Sequence, residues 1–272
     1  MSRMRPYILL LLPFLIVFPF TGCGSTGLGG GDFNLISMGE EWEMGRQIEA
    51  EIAREMQLVN DPAALNYVNQ VGQRLVQQTT FKNLPWEFHI VADASVNAFN
   101  IPGGHVYIHT GLIQEADNAA ELVGVMAHEI AHGLERHATE RLTKSYGVSI
   151  LAGLVLGGDP GLIQQIVAQI VATGAIAKFS RDDEREADEI GVRLMYEVGY
   201  NPSGMVTMFE SLLDERRRRP SSVEQFFSTH PLSEERIAAV RRQISQLPSK
   251  QGLITQESGF QTLKQRVGGY GG

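Results

Sequence analysis

The stretch AAELVGVMAHEIAHGLERH, residues 119–137, decides the reading of this 272-residue chain. Leu122, Val125, Met126 and Ile130 recur at helical spacing, the pattern of a buried helix, yet His128, Glu129 and His132 set three ionisable groups in the run. Burying such groups together costs several kcal/mol unless a metal or partners compensate. Residues four apart share a helix face, so both imidazoles can reach one Zn2+ at about 2.0–2.1 Å. Glu129 stands beside them, where a carboxylate can take a proton from water. H-E-x-x-H is the zinc hydrolase pattern. A chance match on a surface helix is the alternative, and the apolar flanks weigh against it.

Catalytic zinc takes a third protein ligand and keeps one position open. His137 follows His132 by five residues, about 140° round an ideal helix. That removes it as a ligand if the helix continues, and leaves it a cap or surface histidine near the helix end. Downstream, FSRDDEREAD at residues 179–188 puts Glu184 and Asp188 four apart on one predicted helix face. The natural division sets Glu184 on the metal and Asp188 behind it, accepting the other N–H of a ligand histidine. Asp182, Asp183 and Glu186 read as an ordinary acidic first turn.

Around this pair of segments the chain reads as mostly helical α+β with one small sheet. Ser37 and Glu40 form a capping box, and Asp61-Pro62 starts a second helix. Residues 86–91 and 105–109 alternate like strands, the second following a Pro102-Gly103-Gly104 turn. Asn118 or Asp117 caps a helix of about twenty residues through His137. Further helices are expected from Asn201-Pro202 to the arginines at 216–219, which complement a helix C-terminus, and from Ser233 to Leu247. Residues 147–156 and 162–177 flank a Gly-Gly-Asp-Pro-Gly turn. The first is short for a membrane span and Gln164, Gln165 and Gln169 interrupt the second, so a helical hairpin is expected, partly covering the site or touching membrane or a partner. His105 and His109 share a strand face about 13 Å apart, too far for one metal.

Together these residues resemble the M48 zinc peptidases, the family of the CAAX-prenyl endopeptidases. Besides His128-Glu129-x-x-His132 and Glu184-x-x-x-Asp188, the resemblance rests on Val96-Asn97-Ala98-Phe99, Gly103-Gly104, Gly111-Leu112-Ile113, Thr229-His230-Pro231 and Arg236. It covers roughly residues 37–247 and is closest to the small periplasmic lipoprotein-type members. The multi-span members are excluded by hydropathy, and relatives carrying a C-terminal TPR domain match less well. The resemblance implies a gluzincin-like zincin domain, its H-E-x-x-H helix packed on the sheet, with one Zn2+ held by His128, His132 and Glu184. It implies peptide hydrolysis with Glu129 as general base, and His230 and Arg236 as candidate donors to the developing oxyanion. His230 has two other readings: a removable fourth metal ligand, or a surface loop histidine. An edge strand near His105–His109 is expected to pair with extended substrate, the groove including Asn97, Gly103, Gly104, His105 and Tyr107.

Composition bounds the setting. Net charge −8 argues against nucleic acid as a partner, and a single cysteine excludes disulfides and cysteine-built zinc sites. Arg3 and Arg5, an apolar run from Tyr7 to Phe20 and Thr21-Gly22-Cys23 resemble a lipoprotein signal. Residues 1–22 are then a signal peptide, 23–36 a lipidated Cys23 with its Gly-rich tether, 37–250 the peptidase domain and 251–272 a loosely ordered tail. Loss of Arg3 and Arg5 would bring the charge to −10. By resemblance to Gram-negative lipoproteins, Gly24 after the cysteine implies the outer membrane, facing the periplasm. The expected function is endoproteolysis of misfolded or unassembled envelope proteins, with membrane contact through the anchor and outer-membrane assembly machinery as a further partner. The alternative is a chaperone or assembly factor whose zinc is structural or regulatory.

Overall fold

Ser37 accepts from the Glu40 N–H and donates its own N–H to the Glu40 carboxylate, and this capping box opens α1 (Met38–Glu55). The computed structural model describes residues 36–155 and 159–270. The signal segment, Cys23 and the tether up to residue 35 lie outside them. Asp61 accepts from Ala63 and Ala64 to start α2 (Pro62–Val76). Three strands follow, β1 (Glu87–Val91), β2 (Ala98–Ile101) and β3 (His105–His109). A short α3 (Thr110–Glu115) leads to α4 (Ala119–Leu134), capped by Asn118, then α5 (His137–Tyr146), α6 (Val148–Val155) and α7 (Pro160–Thr173). The rest is α8 (Arg181–Glu197), α9 (Ser203–Arg218), α10 (Pro220–Thr229), α11 (Glu234–Gln246) and α12 (Ser258–Val267). This is the mostly helical α+β, zincin-like arrangement that the motif demands, with α4 packed on a three-stranded sheet.

The sheet runs β1-β3-β2, with β1 parallel and β2 antiparallel to β3. The expectation that His105–His109 forms the substrate-pairing edge is therefore corrected: β3 is the central strand, hydrogen-bonded on both sides. Gly103 (φ 86°) and Gly104 (φ 78°) turn β2 back onto one side, while β1 arrives in parallel on the other. Alternation identifies a strand but not its rank in the sheet. One face carries Phe88, Ile90, Val106 and Ile108 into a core shared with α2, α4 and α9. The other carries Phe99, Ile101 and Tyr107 into a second core with α1 and α7. At Gly45 of α1 a Cβ would lie 2.1 Å from the Pro102 carbonyl oxygen, so only glycine lets α1 descend onto the β2–β3 turn.

Three other expectations change. Ile36, assigned to the tether, is buried in the second core, and its carbonyl accepts from Arg136. The tail at 251–272 contains α12, whose Phe260, Leu263 and Val267 pack into the main core beside α2 and α3. The metal-site helix ends at Leu134 rather than running through His137. Arg136 adopts a left-handed conformation (φ 59°), held by Glu41, and α5 starts afresh. The apolar hairpin is α6 and α7, whose inner faces complete the second core with α1. No helix among the described residues is long and apolar enough to cross a membrane.

Candidate metal centre

His128 and His132 project from one face of α4, and α8 packs alongside so that Glu184, in its first turn, meets them. Ser180 and Asp183 fix that turn through a capping box, and Arg141 holds Asp183 from α5. The Nε2 atoms of His128 and His132 are 3.1 Å apart, and Glu184 oxygens lie 3.6 and 3.3 Å from them. Such spacings suit donors gathered about one ion with bonds of about 2.0–2.2 Å. His230, C-cap of α10, joins them, its Nδ1 3.0 Å from Glu184 Oε1 and its Nε2 3.5 Å from Glu129 Oε1. One ligand atom each from His128, His132, Glu184 and His230 falls within 4.8 Å of the others, and all four residues are buried. Both Glu129 oxygens and His230 Nε2 are buried without a hydrogen-bond partner. A protein interior rarely leaves a carboxylate so, and a cation with its water would satisfy it. The residues present fit a divalent metal.

Behind the donors the chain holds each ring. Asp188 Oδ1 lies 3.0 Å from His128 Nδ1. Arg236 in α11 donates two 2.8 Å bonds to Asp188, and through its other nitrogen reaches Glu184 and the Pro231 carbonyl. Its donors here serve two carboxylates on one helix and a backbone carbonyl. Phe179 stacks on His132 at 4.0 Å and Phe226 on His230 at 5.2 Å.

Sequence reasoning missed His137. Because the chain turns at Arg136, His137 swings back to place Nδ1 2.8 Å from His132 Nδ1, with Nε2 3.5 Å from Glu186. It is buried, neither a cap nor a surface residue. Glu186, read as part of a solvated first turn, is its second partner.

Electrostatics follow the packing. Burial disfavours charge on His128, but the Asp188 and Glu184 carboxylates outweigh it and raise the imidazole to about 9. Burial pulls His132 well below its ordinary value and pushes Glu129 up. Burial would raise Glu184 too, yet His230, His128 and His132 together hold it well below the usual carboxylate range.

The expected groove residues are placed elsewhere. Asn97 is buried and donates to the Gly174 carbonyl. Gly103 and Gly104 are covered by α1, Trp42 and Trp86. His105 and Tyr107 point from the central strand into the face opposite α4. None of the five lines an open groove in this conformation. Asn100 was not foreseen: from β2 its side-chain amide donates to the Glu129 carbonyl at 2.9 Å, tying the strand to α4.

The sequence profile of Peptidase family M48 matches residues 62–244. The chain belongs to peptidase family M48. It is 31% identical over 225 residues to the beta-barrel assembly-enhancing protease of Escherichia coli (strain K12), a match covering 78% of this chain and 45% of that protein. It is 32% identical over 202 residues to the putative beta-barrel assembly-enhancing protease of Vibrio cholerae, covering 70% and 41%. To the mitochondrial metalloendopeptidase OMA1 of Schizosaccharomyces pombe it is 31% identical over 212 residues, covering 76% and 62%. The chain spans about half the length of the bacterial relatives it matches.

Proposed function

We propose that this chain is a zinc-dependent endopeptidase acting on misfolded or unassembled envelope proteins. The observation that carries the reading is the unpartnered Glu129 carboxylate beside three buried donors, two of them held from behind by Asp188 and His137. His128, His132 and Glu184 would hold the ion. Zinc, when bound, supplies Lewis acidity that brings the pKa of water towards about 7. Glu129, raised by burial, accepts a proton from the attacking water and passes it to the departing amine. Arg236 holds the Glu184 and Asp188 carboxylates in place. The support for the substrate class is the name of the bacterial relatives, beta-barrel assembly-enhancing protease.

The edge of β2 turned away from β3, buried in this conformation, is the place for an extended substrate once the site opens. His109 N–H donates to the Asn97 carbonyl, so along the antiparallel ladder Asn97, Phe99 and Ile101 face β3. Ala98 and Asn100 then turn their backbone groups outward, and Asn100 links that edge to the catalytic helix. Peptide pairing there gives affinity that tolerates many sequences. In this conformation His230 shuts the site: it is fully buried and faces both Glu184 and Glu129. Of its readings, the removable fourth ligand fits best, since a stabiliser would leave room for substrate.

Digestion of casein and of an unfolded porin, by wild type, Glu129→Gln and chelated protein, tests the activity. Wild type alone should cleave, and equal cleavage by all three sinks the reading. His230→Ala should cleave faster, whereas slower cleavage would show that His230 assists. The buried site also favours a second reading, an assembly factor acting with the site shut. In that case Glu129→Gln would support porin assembly as well as wild type does.

For the setting, Cys23 is the proposed lipid anchor at the outer membrane, facing the periplasm. A Cys23→Ser chain should lose the lipid mass and leave the membrane fraction. An unchanged mass and fractionation would remove the anchor.

A further inference from the structure

On the sheet face turned away from α4, a second set of donors converges. Glu49 of α1, Glu87 and His89 of β1 and His105 of β3 each bring one ligand atom within 4.8 Å of the others. The fold builds this group from three elements. Glu87 and His89, two apart on β1, share a face, and the parallel register sets Glu87 opposite His105 and His89 opposite Tyr107. Glu49 comes from α1 above them.

The distances distinguish this group from a hydrogen-bonded cluster. Glu87 Oε2 lies 3.6 Å from His89 Nε2 and 3.9 Å from His105 Nδ1. Hydrogen bonds to nitrogen span about 2.7–3.2 Å, so neither pair is bonded. Ligands around one ion with bonds of about 2.0–2.2 Å stand roughly 3.3–3.6 Å apart in a tetrahedron, close to what is seen. The nitrogens are also orphaned. His105 is only 2% exposed, and its Nδ1, His89 Nε2 and the Tyr107 hydroxyl are all buried without a hydrogen-bond partner. Two unpaired imidazole nitrogens converging on one carboxylate mark a place that protein alone does not satisfy.

The rings are held ready. His89 stacks on Tyr107 at 4.7 Å and lies 6.0 Å from His105, and Tyr107 stacks on Phe99 at 4.8 Å. Glu87 is half exposed and gives an ion a way in from solvent. Two imidazoles with two carboxylates suit zinc and its neighbours in the first transition row, whereas calcium and magnesium favour all-oxygen sites.

We propose that Glu49, Glu87, His89 and His105 form a second divalent-metal site of the zinc class, clipping α1 to β1 and β3. It uses no residue of the H-E-x-x-H centre, so it stands or falls independently of the peptidase reading.

The test is metal stoichiometry on the full-length chain, stripped by chelation and titrated with Co2+ under equilibrium dialysis and visible absorption. Wild type should take up two equivalents, and His132→Ala should keep one. The Glu49→Gln/Glu87→Gln double variant alters two carboxylates that reach solvent and leaves the histidines in place, and it too should keep one. In the His132→Ala background, added Co2+ should raise the unfolding temperature, and the two Glu→Gln changes should abolish that rise. A wild-type stoichiometry that the two Glu→Gln changes leave unaltered overturns the proposal. So does an unfolding temperature in His132→Ala that ignores the metal.

Discussion

Nδ1 of His137 lies 2.8 Å from Nδ1 of His132, on the side of the ring opposite the Nε2 that faces Glu184. If His132 offers Nε2 to a metal, its Nδ1–H donates to His137, whose proton then sits on Nε2 facing Glu186. His137→Phe keeps the volume and removes the acceptor. Chelator competition should show metal affinity falling about 10–100-fold, the usual cost of losing such a partner. Unchanged affinity would show that the ring merely fills space.

Glu129 carries a buried, unpartnered carboxylate, so it should trade stability for chemistry. Glu129→Gln should lower peptidase turnover by at least about 10²-fold, as loss of a general base does. The same variant should unfold at the same or a higher temperature, because an amide is easier to bury than a carboxylate. A turnover within a few-fold of wild type would remove Glu129 from the mechanism.

Arg236 sits between Glu184 and Asp188, and all three are buried. Arg236→Met leaves two carboxylates without their counter-charge. Breaking a buried pair from one side costs about 3–5 kcal/mol. Urea unfolding should show a loss of that order. Arg236→Lys should recover only part, since one ammonium cannot reproduce the two-pronged grip on Asp188.

Acid should weaken the fold through His109. Burial lowers this imidazole to about 4, with the Asp93 carboxylate opposing the shift, while an unfolded histidine titrates near 6.5. Between those values the unfolded chain binds a proton that the folded chain refuses. The contribution is therefore complete above about pH 6.5 and lost as pH falls towards about 4. Urea unfolding at pH 7.5 and 4.5 should give His109→Gln a smaller acid loss than wild type, by about 2 kcal/mol. Equal losses would acquit His109.

Phe260 tests the C-terminal helix. It is fully buried in the main core, and Phe260→Ala should destabilise by about 3–5 kcal/mol. A change under about 1 kcal/mol would mean that α12 is dispensable.

What the sequence could tell depended on how local the cause was. The positions of His128, Glu129 and His132 follow from helical spacing, and Glu184 from the requirement for a third donor; no tertiary knowledge was needed. His137 was illegible because its place depends on the turn at Arg136, which is held by Glu41 and the Ile36 carbonyl about a hundred residues earlier. The rank of β3 was hidden for a similar reason: alternation at His105–His109 is the same in an edge or a central strand. Helix α12 was masked by the glycines that follow it, while Phe260, Leu263 and Val267 already showed helical spacing.

The sealed centre also has a charge sum. By formal charge, Glu129, Glu184 and Asp188 set three carboxylates against the one guanidinium of Arg236, an excess of two. A divalent ion makes the closed pocket electroneutral; a monovalent ion would leave it short and a trivalent one would overshoot. Valence as well as geometry therefore favours a divalent occupant.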